Sequence, residues 1–147
     1  AETLRGGHLR FRMANGATFE VELLVDDAPL SVARIVRLAR QGYYDGLTFH
    51  RVVPNFVLQG GSPGANEYAG LPRFMPDELG EQSHARGTLG VSTRGRDTGD
   101  AQIFINLVDN PRLDHDYTVW GRVVSGWDTV DRIQEGAVIR RVEFRPR

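Results

Sequence analysis

Residues 49–61 read FHRVVPNFVLQGG, and the two halves of this stretch predict a pair of short strands. Both halves are rich in β-branched and aromatic residues, whereas Pro54-Asn55 between them is a dipeptide typical of turns. We place the two strands at residues 47–52 and 56–59, which makes the segment a hairpin.

Strand alternation groups the polar residues of this hairpin with apolar ones. Arg51 and Val53 fall on one face of the first strand, and Val57 and Gln59 fall on one face of the second. A cation and an amide beside apolar side chains need hydrogen-bond partners, because burying them unpaired is costly. Two interpretations stay open from these residues alone: an internal Arg–Gln pair, or a functional site.

The rest of the chain predicts a fold made mainly of short strands. Asn15-Gly16 separates two alternating segments and is a strong hairpin signal. Besides the two strands of the hairpin at residues 47–59, strands are predicted at residues 8–13, 18–23, 88–93, 103–107, 118–124 and 138–144. Many short strands with few helices favour an antiparallel barrel or sandwich over βαβ units.

Two helices are predicted. The first has Asp26 or Asp27 as its cap, Pro29 in its first turn and Gly42 at its end. The second is predicted at residues 128–134. Residues 61–86 contain three prolines and little periodicity, so they are predicted to form a long loop that is either functional or disordered.

The composition fits one soluble globular domain over residues 1–147. Of the 147 residues, 40% are hydrophobic and 25% are charged, and the formal net charge is −1. This charge gives no reason to expect a nucleic acid or an anionic membrane as partner. We expect no membrane span, because no apolar run has the required length, and we expect no signal peptide at the start of the sequence. Because the first residue is alanine, we expect a mature form or an excised domain, and we favour export in a bacterium while the compartment stays open.

Two residue types are missing, and their absence excludes several chemistries. The sequence has no cysteine, and all 18 of its Lys+Arg residues are arginine. Thiol nucleophiles, thiolate metal sites and disulfides are therefore excluded. Schiff bases, a lysine general base and a P-loop lysine are excluded as well.

Several other motifs are considered and rejected. Gly90-Val91-Ser92 has the start of a nucleophile elbow, but Arg94 stands where the tight turn needs a second glycine. The four histidines lack metal-ligand spacing, and the aspartates within residues 97–116 lack the calcium-loop pattern. The arginines of residues 140–147 are interpreted as solvated side chains, given the net charge.

Residues 49–61 closely resemble the F-H-R-hydrophobic-hydrophobic-P-x-F-x-x-Q-G-G signature of cyclophilin-type peptidyl-prolyl cis-trans isomerases. Residues 102–106 resemble the Q-F-F-I segment of that family, and residues 113–121 resemble its L-D…V-F-G segment. The matches run in family order from about residue 8 to residue 144. The resemblance implies a mainly β fold, namely a closed eight-stranded antiparallel β-barrel capped by two α-helices. It also implies an enzyme that isomerises X-Pro peptide bonds in proteins and assists their folding.

The resemblance assigns roles to individual residues. Arg51 would be the catalytic arginine that hydrogen-bonds the prolyl nitrogen, and Gln59 would act with it. The resemblance implies that substrate contacts come from His50, Phe56, Val57, Ser92, Thr93, Gln102, Phe104, Leu113 and Tyr117. Four of these residues would line the proline pocket, namely Phe56, Val57, Phe104 and Leu113. No metal and no cofactor are implied.

Partners follow from the same resemblance. They would be proline-containing peptides and unfolded or flexible protein segments, bound by a monomer. Three positions depart from the common family pattern: Val57 replaces Met, Thr93 replaces Asn, and Arg112 replaces the Trp of cyclosporin-sensitive members. Arg112 therefore predicts weak cyclosporin binding.

Two alternatives to an active isomerase are considered. One is a catalytically weak proline-peptide-binding module of the same fold, and the other is an unrelated barrel such as a sugar-binding or structural module. An active enzyme is favoured because six residues of the expected site occur together, namely Arg51, Phe56, Gln59, Gln102, Phe104 and Leu113.

Overall fold

A computed structural model of the chain describes residues 4–61, 83–91, 102–110 and 118–147. Within these residues, nine strands form one sheet and two helices pack against it. The strands are β1 (His8–Met13), β2 (Thr18–Leu23), β3 (Thr48–Phe49), β4 (Arg51–Val53), β5 (Val57–Gly60), β6 (Thr88–Val91), β7 (Ile103–Asn106), β8 (Val119–Ser125) and β9 (Ala137–Arg145). The helices are α1 (Pro29–Arg40) and α2 (Trp127–Asp131).

The sheet is a nearly closed antiparallel barrel. Its strand order is β3-β9-β1-β2-β8-β6-β7-β5-β4, so the two end strands are β3 and β4. These two strands are separated by His50 alone, and the chain therefore joins the two ends of the sheet. The Gly61 N–H, just after β5, also donates a hydrogen bond to the Thr48 carbonyl at 3.2 Å.

The predicted fold class is confirmed, with one difference in the strand count. The sequence predicts a single strand over residues 47–52, whereas the structure divides this segment at His50 into β3 and β4. The division arises because the two halves pair with different neighbours: β3 pairs with β9, and β4 pairs with β5. Nine strands among the described residues therefore replace the predicted eight.

The other strand predictions are confirmed to within one residue at each end, and residues 92–93 of the predicted strand 88–93 lie outside the described residues. The predicted turn between β1 and β2 is confirmed too. Gly16 has φ +90°, and Asn15 Oδ1 accepts a hydrogen bond from the Ala17 N–H at 2.9 Å. A positive φ is readily adopted by glycine, which is why this dipeptide suits the turn.

The predicted cap of α1 is wrong, whereas its predicted end is confirmed. The N-cap is Ala28, one residue after the two predicted candidates Asp26 and Asp27, and no hydrogen bond from a described side chain caps the helix. The Asp26 carboxylate accepts hydrogen bonds from Arg5. At the other end Gly42 has φ +74°, and the Tyr43 N–H donates to the Leu38 carbonyl at 3.0 Å. This glycine-dependent arrangement satisfies carbonyls at the end of the helix.

The second helix is shorter than predicted. It covers Trp127–Asp131 rather than residues 128–134. After it, the Arg132 N–H bonds the Thr129 carbonyl and the Ile133 N–H bonds the Val130 carbonyl, which is the tighter three-residue spacing of a 3₁₀ turn. Gly136 with φ +89° then leads the chain into β9.

The hydrophobic core lies between the inner face of the barrel and α1. The β strands contribute alternate residues, as in Leu9 and Phe11 of β1, and α1 contributes the side it turns towards the sheet. The largest fully buried side chain is Trp120 of β8, at 0% exposure. A core on one face of the strands leaves their other face for a site.

Candidate active site

The register of four neighbouring strands brings several predicted site residues into one row. Arg51 of β4 lies opposite Gln59 of β5, and Gln59 lies opposite Phe104 of β7. Phe104 in turn lies opposite Gly90 of β6. Directly opposed residues project to the same face of a sheet, so these side chains share a face. With neighbouring strands about 4.8 Å apart, the backbones of Arg51 and Phe104 are about 10 Å apart.

A second row on the same face lies two residues further along each strand. Val53 is opposite Val57, and Val57 is opposite Asn106. Val57, Gln59 and Phe104 lie outside the core cluster yet are only 5%, 7% and 6% exposed. The face is therefore a sheltered surface on the side of the sheet away from the core.

Arg51 and Gln59 are directly bonded. Arg51 Nη1 donates to Gln59 Oε1 at 3.3 Å, and Gln59 is buried whereas Arg51 is exposed. A guanidinium carries five N–H donors, so this contact uses one of them. The internal pair that the sequence leaves open thus exists, and it holds a permanent cation at the edge of an apolar surface.

Phe56 and His50 flank the hairpin of β4 and β5. The turn is closed by the Phe56 N–H, which donates to the Val53 carbonyl at 3.0 Å, and Asn55 within it has φ +58°. The Phe56 carbonyl accepts from the Leu107 N–H at 2.8 Å, which ties the turn to the end of β7. Phe56 and His50 are both half-buried, and His50 occupies the break between β3 and β4.

Gln102 precedes β7 and is 2% exposed. Alternation along the chain gives Gln102, Phe104 and Asn106 the same side of the strand. The structure therefore places five of the predicted site residues on one face, namely Arg51, Val57, Gln59, Gln102 and Phe104. Two more, His50 and Phe56, lie next to this face in the chain, at the ends of β4 and β5. The other predicted site residues lie outside the described residues, namely Ser92, Thr93, Leu113 and Tyr117. Arg112 lies outside them as well, so weak cyclosporin binding stays a prediction.

A buried polar network on this face was not predicted. His84 is 0% exposed, and its ring stacks on that of Phe104 with centroids 5.6 Å apart and an interplanar angle of 13°. Asn106 Nδ2 lies 3.1 Å from His84 Nδ1 and donates to Thr88 Oγ1 at 3.0 Å. Alternation from Phe104 could have indicated Asn106, but nothing in the sequence indicates that His84 reaches this face.

Arg86 fastens the segment that carries His84. Its Nη1 donates to the Leu107 carbonyl at 2.7 Å, and its Nη2 pairs with the Asp131 carboxylate at 3.0 Å. The guanidinium carbon Cζ also lies 5.1 Å from the centre of the Trp127 ring. The backbone N–H of Arg86 donates a hydrogen bond to Asp109 Oδ1 at 2.8 Å. These contacts join the start of β6 to the end of β7 and to α2.

The described residues contain no group of three His, Cys, Asp or Glu side chains placed to hold a metal ion. None of the helices in the described ranges has the length and apolar character needed to cross a membrane. Among the described residues, this face carries one arginine, the buried amides of Gln59, Gln102 and Asn106, aromatic rings and apolar side chains.

Comparison with known proteins identifies the family. Residues 8–146 match the family model described as cyclophilin type peptidyl-prolyl cis-trans isomerase/CLD. The chain belongs to this family. It is a peptidyl-prolyl cis-trans isomerase of the cyclophilin type, and relatives with that activity in their names align along most of its length.

Two bacterial relatives and one solved structure illustrate the similarity. The chain is 38% identical to a peptidyl-prolyl cis-trans isomerase of Helicobacter pylori strain J99, covering 90% of this chain and 84% of that protein. It is 38% identical to peptidyl-prolyl cis-trans isomerase B of Bacillus subtilis, covering 90% and 94%. A Cryptosporidium parvum cyclophilin crystallised in the presence of the dipeptide Ala-Pro has a TM-score of 0.87 at 22% identity, covering 95% and 99%. That structure supports the fold of this cyclophilin.

Proposed function

We propose that this cyclophilin isomerises X-Pro bonds by hydrogen-bonding the prolyl nitrogen of a twisted peptide with Arg51. The single observation that carries the proposal is the row in which the exposed Arg51 guanidinium, the buried Gln59 amide and the buried Phe104 ring succeed one another on adjacent strands. A cation, a polar anchor and an apolar wall thereby face one bound dipeptide.

The reaction needs little more than these groups. A peptide C–N bond resists rotation with a barrier of about 18–20 kcal/mol, because the nitrogen lone pair is delocalised into the carbonyl. Before proline the two isomers are close in free energy, yet they exchange in tens to hundreds of seconds. Rotation breaks the conjugation, so the nitrogen becomes a pyramidal hydrogen-bond acceptor.

Arg51 suits this acceptor. A donor that bonds the twisted nitrogen stabilises the transition state more than either planar isomer, which is what lowers a barrier. Arginine stays charged at all relevant pH values and presents several donors in a plane. The bond from Arg51 Nη1 to Gln59 Oε1 restrains the guanidinium, so less freedom is lost when the substrate binds.

The apolar wall would hold the pyrrolidine ring while the other side of the bond rotates. Phe104 and Val57 are buried on the face that carries Arg51, and Phe56 borders them at the hairpin turn. Gln59 and Gln102 would bind the substrate backbone, and Ser92 and Thr93 would offer main-chain contacts. Leu113 and Tyr117 would complete the pocket. Exclusion of water by such a surface strengthens the hydrogen bond from Arg51.

The proposal assigns the activity to one domain, residues 1–147, acting as a monomer. In the described ranges the site residues come from a single sheet of one chain, so no second copy is required. The substrates would be flexible or unfolded protein segments that contain proline, because the site faces outward from the barrel rather than into its interior.

Arg51→Ala tests the mechanism. Removing one preorganised donor is expected to lower kcat/KM for an X-Pro peptide by about two orders of magnitude, with the fold intact. The measurement is a protease-coupled isomerisation assay, with thermal unfolding of the same samples. Arg122→Ala, an exposed arginine of β8 paired with Glu22, is the matched control and should keep full activity.

Near-normal turnover by the Arg51→Ala variant would refute this role of Arg51. A wild-type chain that binds the peptide without accelerating its isomerisation would instead favour a weak binding module of the same fold.

A further inference from the structure

Gly90 leaves a space that the ring of Phe104 fills. The two residues lie opposite each other on β6 and β7, and both are buried. A Cβ added at Gly90 would overlap Phe104 Cζ and lie 2.7 Å from Cε1 and 3.0 Å from Cε2. Carbon atoms in contact are normally about 3.5–4.0 Å apart, so the tip of the ring lies where any larger residue would place its side chain.

His84 stacks on the same ring in an offset arrangement, since the two ring centroids are 5.6 Å apart. The imidazole is nearly parallel to the phenyl ring, at 13°, and is itself fully buried. A stacked aromatic pair gains free energy beyond the burial of its area and opposes rotation of either ring. Phe104 is therefore held at its tip by the β6 backbone and on its face by His84.

The imidazole is held in turn by a chain of hydrogen bonds that begins at Phe56. Asn110 Nδ2 donates to the Phe56 carbonyl at 3.3 Å and to Asn106 Oδ1 at 2.9 Å. Asn106 Nδ2 then faces His84 Nδ1 at 3.1 Å. Thr88 Oγ1 also accepts from Asn106, and its own hydroxyl donates to the Ala85 carbonyl at 2.7 Å.

The direction of these bonds follows from their first acceptor. A carbonyl oxygen can only accept, so Asn110 must turn its Nδ2 towards Phe56, and its second hydrogen reaches Asn106 Oδ1. Asn106 consequently presents its amide nitrogen to the imidazole, whose Nδ1 accepts. The network thus connects the backbone of Phe56, beside the proposed pocket, to the ring behind Phe104.

We propose that Gly90 and His84 set the depth of the proline pocket and so the size of the imino-acid ring that this cyclophilin accepts. The inference rests on the proposed function, in which Phe104 is a pocket wall. A side chain at position 90 would lie between the sheet and the ring tip and would lift the ring by about 1 Å into the pocket. Gly90 is thus a specificity-determining residue, and His84 is a positioning residue that acts through Phe104.

Gly90→Ala tests the proposed role of Gly90 in setting the pocket depth, and Gly121→Ala is the matched control. Gly121 lies on the neighbouring strand β8, and its added Cβ would lie 2.7 Å from Val21 Cγ1 in the core. Both variants overpack a strand glycine, but only Gly90→Ala moves Phe104. We expect Gly90→Ala to raise KM for an Ala-Pro peptide about tenfold, with kcat nearly unchanged, since a pocket wall binds ground and transition states alike.

Ring size gives a second readout of the same variants. Pipecolic acid has one methylene more than proline, and one methylene in a closed pocket is worth about tenfold or more in kcat/KM. The preference for the Ala-Pro over the Ala-pipecolyl peptide should therefore increase about tenfold in Gly90→Ala and stay at the wild-type value in Gly121→Ala. Aromatic ring resonances of Phe104 should shift in the first variant alone.

Two variants, His84→Ala and His84→Phe, test the proposed role of His84 in positioning the Phe104 ring. Alanine empties the space behind the phenyl ring and should raise KM about tenfold, whereas phenylalanine restores the stacking and should return KM close to the wild-type value. A merely structural histidine would lower the melting temperature in both variants without this difference in KM.

The outcomes separate the inference from the proposed function. If wild-type protein isomerises the peptide but Gly90→Ala and Gly121→Ala have equal KM and equal ring preference, the inference is overturned and the mechanism stands. If the wild-type protein neither isomerises nor binds the Ala-Pro peptide, the proposed function is overturned and the pocket inference falls with it.

Discussion

The strands β5, β6 and β7 have two faces that are both buried but differ in composition. Towards the core they present Leu58, Ile105 and Leu89, each 1% exposed or less. On the other face the same strands present Gln59, Phe104 and Gly90, with Asn106 beside them. An apolar face needs only close packing, whereas the mixed face needs its polar atoms bonded in one specific arrangement. The first face stabilises the barrel, and the second face carries the groups of the proposed site.

Phe104→Ala is expected to have the largest combined effect. Removing a buried phenyl ring costs about 3–5 kcal/mol of unfolding free energy, because a cavity remains. Peptide binding should weaken as well, since Phe104 is the proposed pocket wall. Chemical denaturation and peptide titration would measure the two effects, and unchanged affinity of the folded protein would contradict the pocket assignment.

Ile105→Ala changes the next residue, which faces the core. It should cost about 2–5 kcal/mol of unfolding free energy through the same cavity mechanism. Because Ile105 is 0% exposed on the opposite face, KM and kcat per folded molecule should stay at wild-type values. The assay is best run well below the melting temperature, and a raised KM in the folded fraction would mean that the two faces are not independent.

Asn106→Ala tests the polar network of the mixed face. It leaves buried groups of His84 and Asn110 without their partner, and the expected cost is about 1–3 kcal/mol. Asn106→Asp keeps the size of the side chain but replaces the donor that faces His84 Nδ1 by an acceptor. Chemical denaturation would measure the cost, and an Asn106→Ala variant as stable as the wild type would contradict a stabilising role of this network.

Arg122→Ala is expected to have the smallest effect. On the solvent-facing side of β8 and β2, Arg122 Nη2 lies 2.8 Å from Glu22 Oε2, with side chains 49% and 35% exposed. Exposed ion pairs contribute about 0.2–1 kcal/mol and weaken in salt. Denaturation at low and high ionic strength would measure this, and a cost comparable with that of Asn106→Ala would contradict the contrast between sheltered and exposed polar groups.

The accuracy of the sequence-based predictions depended on how local each feature was. Apart from the predicted strand 47–52, the described bounds of the strands and the end of α1 were predicted to within a residue, because alternation and Gly42 act within a few positions. The predicted cap of α1, Asp26 or Asp27, was wrong: the Leu24 carbonyl accepts from the Asp27 and Ala28 N–H groups in a turn, and the N-cap is Ala28. The break at His50 was missed because it arises from strand pairing between distant parts of the chain: β3, before His50, pairs with β9, and β4, after it, pairs with β5.

The sequence by itself determined the strand periodicity, the absence of thiol and amine chemistry, and a signature that identifies the family. The tertiary structure alone decided that Arg51, Gln59, Phe104 and Gly90 form one row, and that His84 supports the ring of Phe104. The physical reason is the range of the forces involved. Alternation and turn preferences act between neighbouring residues, whereas the register between distant strands depends on how the whole barrel packs its core.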